Sequence, residues 1–143
     1  MTIFDKYPRA AVLPLLYPVS AVDVGILEER RSVLDALKTF WLERGSGLFN
    51  EGLDGTTLLR GVVNNLLGPD EILFVLNAGG GDDLEGGLPF FEMNDCIHLL
   101  IGTSGEIFAG DTGKELAIAA SLDEFVARLM LNPGFYVPLL GED

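Results

Sequence analysis

A chain of 143 residues that is 48% hydrophobic, with one cysteine and with 18 glycines spread over turn-like sites, is long enough to bury a core without disulfides and too apolar to be disordered. Its 22 acidic residues against 9 basic ones give a formal net charge of −13, which argues against nucleic acid as a ligand and favours a basic partner. Residues 10–19 are apolar, but Pro14 and Pro18 interrupt them and the run falls short of the roughly 20 residues of a membrane span. No signal-peptide pattern is seen, and the lone Cys96 suits the cytoplasm.

Residues 1–25 are expected to form an irregular packed arm, because prolines at 8, 14 and 18 break any helix while Phe4, Tyr7 and Tyr17 are free to pack. Val33, Leu34, Leu37, Phe40 and Trp41 recur at helical spacing and predict a helix over 32–44, capped by Ser32 and ended by Gly45, with an upstream extension over 26–31. Trp41 and Phe40 belong to its core stripe. Three apolar pairs, Leu58-Leu59, Val62-Val63 and Leu66-Leu67, predict a second helix that Gly68-Pro69 closes, and 72–76 follow as a strand. Residues 79–87 are an acidic, glycine-rich loop.

The densest signals lie in 88–130. Residues 96–100 and 106–109 flank a turn of glycine and small polar residues, which predicts a hairpin with the strand from Leu88 beside it. Ser121 and Glu124 stand in capping-box spacing ahead of Leu122, Phe125, Val126, Leu129 and Met130, the buried stripe of an amphipathic helix. The tail, 135–140, is too apolar to hang in water; it is expected to be extended, packed on the sheet or against a second copy in a homodimer. Together these elements predict one α+β domain spanning 1–143, in which helices cover one face of a mostly antiparallel sheet and 132–143 form the tail.

Little here has the spacing of catalysis. Asp111-Thr112-Gly113 matches the short aspartic-protease triplet, but its flanks suit a polar turn between two strands. Lys114 after Gly113 does not make a phosphate loop, because Phe108 stands where the first glycine is needed. Cys96 and His98, two apart on a strand, share a face; a zinc site would need carboxylates such as Asp95 or Glu92 from poorly matched positions, so a half-buried thiol and a hydrogen-bonded histidine are expected. Residues 82–86 lack the spacing of a calcium-binding EF-hand loop. No catalytic residue, cofactor or metal site is therefore assigned.

The order helix, loop, strands, helix resembles the SUKH superfamily, which includes Smi1/Knr4-like proteins. The similarity is carried by LKTFWLERGSG at 37–47, by Leu88-Pro89-Phe90-Phe91 leading into Ile97-His98-Leu99-Leu100-Ile101, by Gly105-Glu106-Ile107-Phe108 and by Ser121-Leu122-Asp123-Glu124-Phe125. The segment 52–68 is closer to related type VI secretion immunity proteins. Both groups are largely bacterial antitoxins, so the resemblance implies an immunity protein that binds a secreted polymorphic toxin, such as a nuclease or deaminase, and blocks it. The alternative is a regulatory or scaffold module of the Smi1/Knr4 type with no toxin. Under the first reading an acidic surface occupies a basic substrate cleft, and Asp82, Asp83, Glu85, Glu92 and Asp95 are the candidate contact residues.

Overall fold

The computed structural model describes residues 3–57, 61–78, 87–94, 97–111 and 114–140, with the backbone alone at 110, 111, 114 and 115. In chain order these form α1 (Ile3–Lys6), β1 (Leu15–Tyr17), α2 (Ala21–Arg30), α3 (Asp35–Glu43), β2 (Ser46–Leu48), β3 (Asn65–Leu66), α4 (Pro69–Asn77), β4 (Gly87–Asn94), β5 (Ile97–Gly102), β6 (Ile107–Asp111), β7 (Lys114–Ala119), α5 (Leu122–Leu131) and a final 3-10 turn, Val137–Leu140. The strands form one sheet in sequence order, and every neighbouring pair is antiparallel. The fold is α+β, with an antiparallel sheet as expected.

Strands β4 and β5 form from the apolar runs of the sequence. Leu88 pairs with Ile101, Phe91 with Leu99 and Ile101 with Ile107, and all five side chains join the core. Pro89, which has no N–H to give to the ladder, coincides with a break in register that leaves Phe90 unpaired. The bulge brings both rings toward α5: Phe90 and Phe91 meet Phe125 at 5.6 and 5.0 Å between centroids. As the spacing predicts, Ser121 Oγ accepts from the Glu124 N–H at 3.1 Å, and Leu122, Phe125, Val126, Leu129 and Met130 are all buried.

The tail closes the same cluster. It is not extended: a turn at 133–136 leads into the 3-10 helix, and Tyr136 is fully buried against Phe91, Phe125 and Phe135. Its hydroxyl donates to Asn64 Oδ1, whose amide nitrogen donates to the Pro133 carbonyl at 2.8 Å. Asn64 is the buried polar residue of the described core, and burial holds the Tyr136 phenol well above its ordinary range.

Between 3 and 78 several expectations are corrected. The arm is not irregular throughout, since it supplies α1, β1 and the start of α2. Residues 26–31 do not extend the next helix: α2 has its own cap, with Ser20 Oγ accepting from Val22 N–H, and it stops at an extended Arg31. Ser32 caps nothing, and α3 starts after Leu34 without a side-chain cap, held by the burial of Leu37, Phe40 and Trp41. Trp41 is core, as expected, and its Nε1 donates to the Leu67 carbonyl at 2.9 Å.

Residues 61–67 are not helical; 58–60 lie outside the described residues. Gly61 and Asn64 both take positive φ, at 73° and 46°, and the chain then pairs as β3. Residues 72–76 are helix rather than strand, because Gly68-Pro69 opens an element instead of closing one. Proline at the first helical position gives up an N–H the helix does not use, and Glu71 Oε1 accepts from Gly68 N–H at 3.1 Å.

The glycines of Gly45-Ser46-Gly47 join this region to the rest. Their φ values are +104° and +154°, and a Cβ would stand 2.1 Å from the Tyr17 carbonyl oxygen and 1.9 Å from that of Leu15. Only glycine lets β2 approach β1 so closely.

Candidate functional site

Of the five predicted contact residues, Glu92 is among those described; Asp82, Asp83, Glu85 and Asp95 lie outside them. Glu92 sits on β4 between Asn65 of β3 and His98 of β5. Its neighbour Phe91 faces the core, so the pleat turns Glu92 to the opposite face of the sheet. There its Oε2 lies 3.5 Å from His98 Nε2, with both side chains about three-quarters covered, at 26% and 23% exposure. The expected hydrogen bond of His98 is absent at Nε2, which is buried without a partner, so the two groups attract as an ion pair when the imidazole is protonated.

Leu100 and Phe108 continue this second face beyond His98, paired across β5 and β6 and buried outside the main core cluster. Gly87 makes room for them, since a Cβ there would come within 2.8 Å of the Phe108 ring and 3.0 Å of Leu100. The sheet is thus apolar on both faces near Gly87 and polar near Glu92.

The other motifs do not assemble into chemistry. Asp111 ends β6 in register with Lys114 of β7, which suits a turn between two strands; Thr112 and Gly113 lie outside the described residues, as does Cys96. Among the described residues no group of three His, Cys, Asp or Glu side chains is placed to hold a metal ion, and no helix is long and apolar enough to cross a membrane.

A cavity of about 460 Å³ opens where the α2–α3 connection crosses the Gly87–Gly102 end of β4 and β5, lined in part by Arg30, Arg31, Ser32 and Thr103. Arg31 Nη2 donates to the Gly87 carbonyl at 2.9 Å and so ties the end of α2 to the start of β4. Arg30 Nη1 donates to Asn77 Oδ1 at 2.7 Å and ties it to the end of α4. Asn77 and Gly87, the anchored residues on either side of 79–86 in sequence, are thus both held by the end of α2.

Comparison with protein-family models, with curated proteins and with solved structures finds no match to this chain.

Sequence reasoning missed the surface that α2 and α4 form. Both had legible start signals: Ser20 ahead of Ala21, and Gly68-Pro69 followed by Asp70-Glu71. The prolines before Ser20 and the apolar run 72–76 outweighed them.

Proposed function

We propose that this chain is a SUKH-type immunity protein that acts in the cytoplasm by binding a basic protein toxin and covering its active site, not by catalysis. The observation that carries the reading is the net charge of −13 on a chain with a large apolar core. Such a surface draws in a cationic cleft at long range and orients it before contact. Asp82, Asp83, Glu85, Glu92 and Asp95 are proposed as contact carboxylates. The segments that carry the SUKH resemblance also support the reading, through the buried tryptophan of α3, the two positive-φ glycines after it and the capped helix α5.

The test is co-expression of the chain with the product of the neighbouring open reading frame, scored by growth and by co-purification. Rescue of growth together with a one-to-one complex is expected. Several weak partners and no rescue would favour a scaffold module, and failure of both rescue and co-purification across plausible toxins would end the immunity reading.

A further inference from the structure

The helices α2 and α4 pack side by side and bury Val24, Leu27, Ile72 and Leu76 in one core. Their outer sides are not polar. Phe74 is 76% exposed, the largest exposure of any big apolar side chain among the described residues, and on α2 Val22 and Ile26 are 70% and 48% exposed. Phe74 lies about 200° of helical rotation from both Ile72 and Leu76, so it points directly away from the core. Val22 stands in the same relation to Val24 on α2.

Gly25 lies between Val22 and Ile26 on that outer side. It takes no positive φ, and nothing lies within 4 Å of where its Cβ would be. A glycine inside a helix weakens it relative to alanine, and here neither backbone geometry nor packing within the fold requires one. What its missing side chain does provide is a notch beside Val22 and Ile26, into which another backbone can come close.

Acidic residues predominate around this face. Across the two helices Asp23, Glu28, Glu29, Asp70 and Glu71 stand against Arg30. The acidic segment carrying Asp82, Asp83 and Glu85 follows α4 directly in sequence. A third helix packs on two adjacent helices by ridges into grooves, and here Phe74, Val22 and Ile26 give the exposed side apolar ridges with acidic residues beside them.

We infer that the outer face of α2 and α4 is a docking surface for a basic amphipathic helix of a partner protein, with Phe74 as the anchor and Gly25 as the point of closest approach. The inference rests on the proposed function only for the identity of that partner, the toxin.

Two experiments test it. In the first, the isotope-labelled chain is titrated with a synthetic amphipathic peptide of leucine and lysine while its backbone amides are followed by NMR. Shifts clustered on Val22, Gly25, Ile26 and Phe74, and lost in Phe74→Ser, are expected; shifts centred elsewhere or spread over all acidic surfaces would overturn the inference. In the second, Phe74→Ser and Gly25→Leu are compared with the native chain for affinity to the co-purified toxin, with Gly25→Ala as the control for helix stability. A loss of about tenfold or more is expected for the first two, and a higher melting temperature for Gly25→Ala. Toxin binding unchanged in Phe74→Ser would overturn the surface and leave the immunity reading standing, whereas peptide shifts on this face without any toxin complex would do the reverse. A native chain that sediments as a dimer and dissociates on Phe74→Ser would assign the face to a second copy and overturn the inference.

Discussion

Residues 87–140 and residues 3–78 build one sheet by different means. In the first region β4 and β5 run for eight and six residues, and Phe90 and Phe91 of β4 meet α5 and Tyr136 in a cluster of aromatic rings. In the second, β1, β2 and β3 are three, three and two residues long, and they are held by two glycines that let backbones approach more closely than any side chain permits. Burial periodicity specifies the one region, and backbone conformation at a few positions specifies the other. Loss of apolar volume should therefore damage the first most, and an added methyl group should damage the second.

The sharpest test of the aromatic region is Phe125→Ala. Its ring touches Phe90, Phe91, Phe135 and Tyr136 with no exposed surface, so removing it should cost about 3–5 kcal/mol of unfolding free energy in a denaturant titration. Little change would mean that the cluster does not hold the tail. The counterpart in the other region is Gly47→Ala, which adds a single carbon. Because that carbon meets the Leu15 carbonyl and the φ is unfavourable, a loss of about 3 kcal/mol is expected, with weakened protection of the β1 and β2 amides from hydrogen exchange. An alanine tolerated at Gly47 would break the contrast between the regions.

Tyr136→Phe probes the junction where the tail meets Asn64. It leaves the Asn64 side-chain oxygen Oδ1 without its hydroxyl donor and should cost about 1–2 kcal/mol at neutral pH. The same substitution has a signature in pH. Burial raises the phenol's pKa in the folded state, so the native chain keeps a proton that the unfolded chain gives up above about pH 10. Stability is then full below that value and falls as pH rises beyond it, and Tyr136→Phe should flatten that fall. The smallest effect is expected for Ser121→Ala, about 1 kcal/mol from the lost cap of α5, read as a lower melting temperature.

The contrast also explains what could be read from the sequence. The apolar runs 96–100 and 106–109 about their glycine turn and the spacing from Ser121 to Met130 are local signals, and each becomes the expected element. Gly68-Pro69 carries no period: it marks an end or a beginning depending on whether a helix lies before or after it, and Leu58 to Leu67 looked like that helix. In the folded chain Leu66 and Leu67 are buried from an extended segment, because Asn64 turns the backbone at positive φ and spends both ends of its amide on the tail, 69 residues away from Pro133. A contact that distant leaves no trace in a local window. Likewise Phe74, half of an i, i+2 pattern with Ile72 and Leu76, suits a strand with one buried face, whereas in α4 the same residue becomes the outermost point of the surface. Of the candidate site, Glu92 is legible as a polar position on an apolar strand, and the α2–α4 face is not, since 21–25 read as an irregular arm, 26–31 as part of the next helix and 72–76 as a strand.

We propose that this chain works by binding a basic protein through its acidic surface. Titration calorimetry of the purified chain with the co-encoded basic toxin, repeated at low and high salt, addresses it most directly. One-to-one binding that weakens as salt rises is the predicted result, and the absence of binding at low salt, or an affinity indifferent to salt, would contradict it.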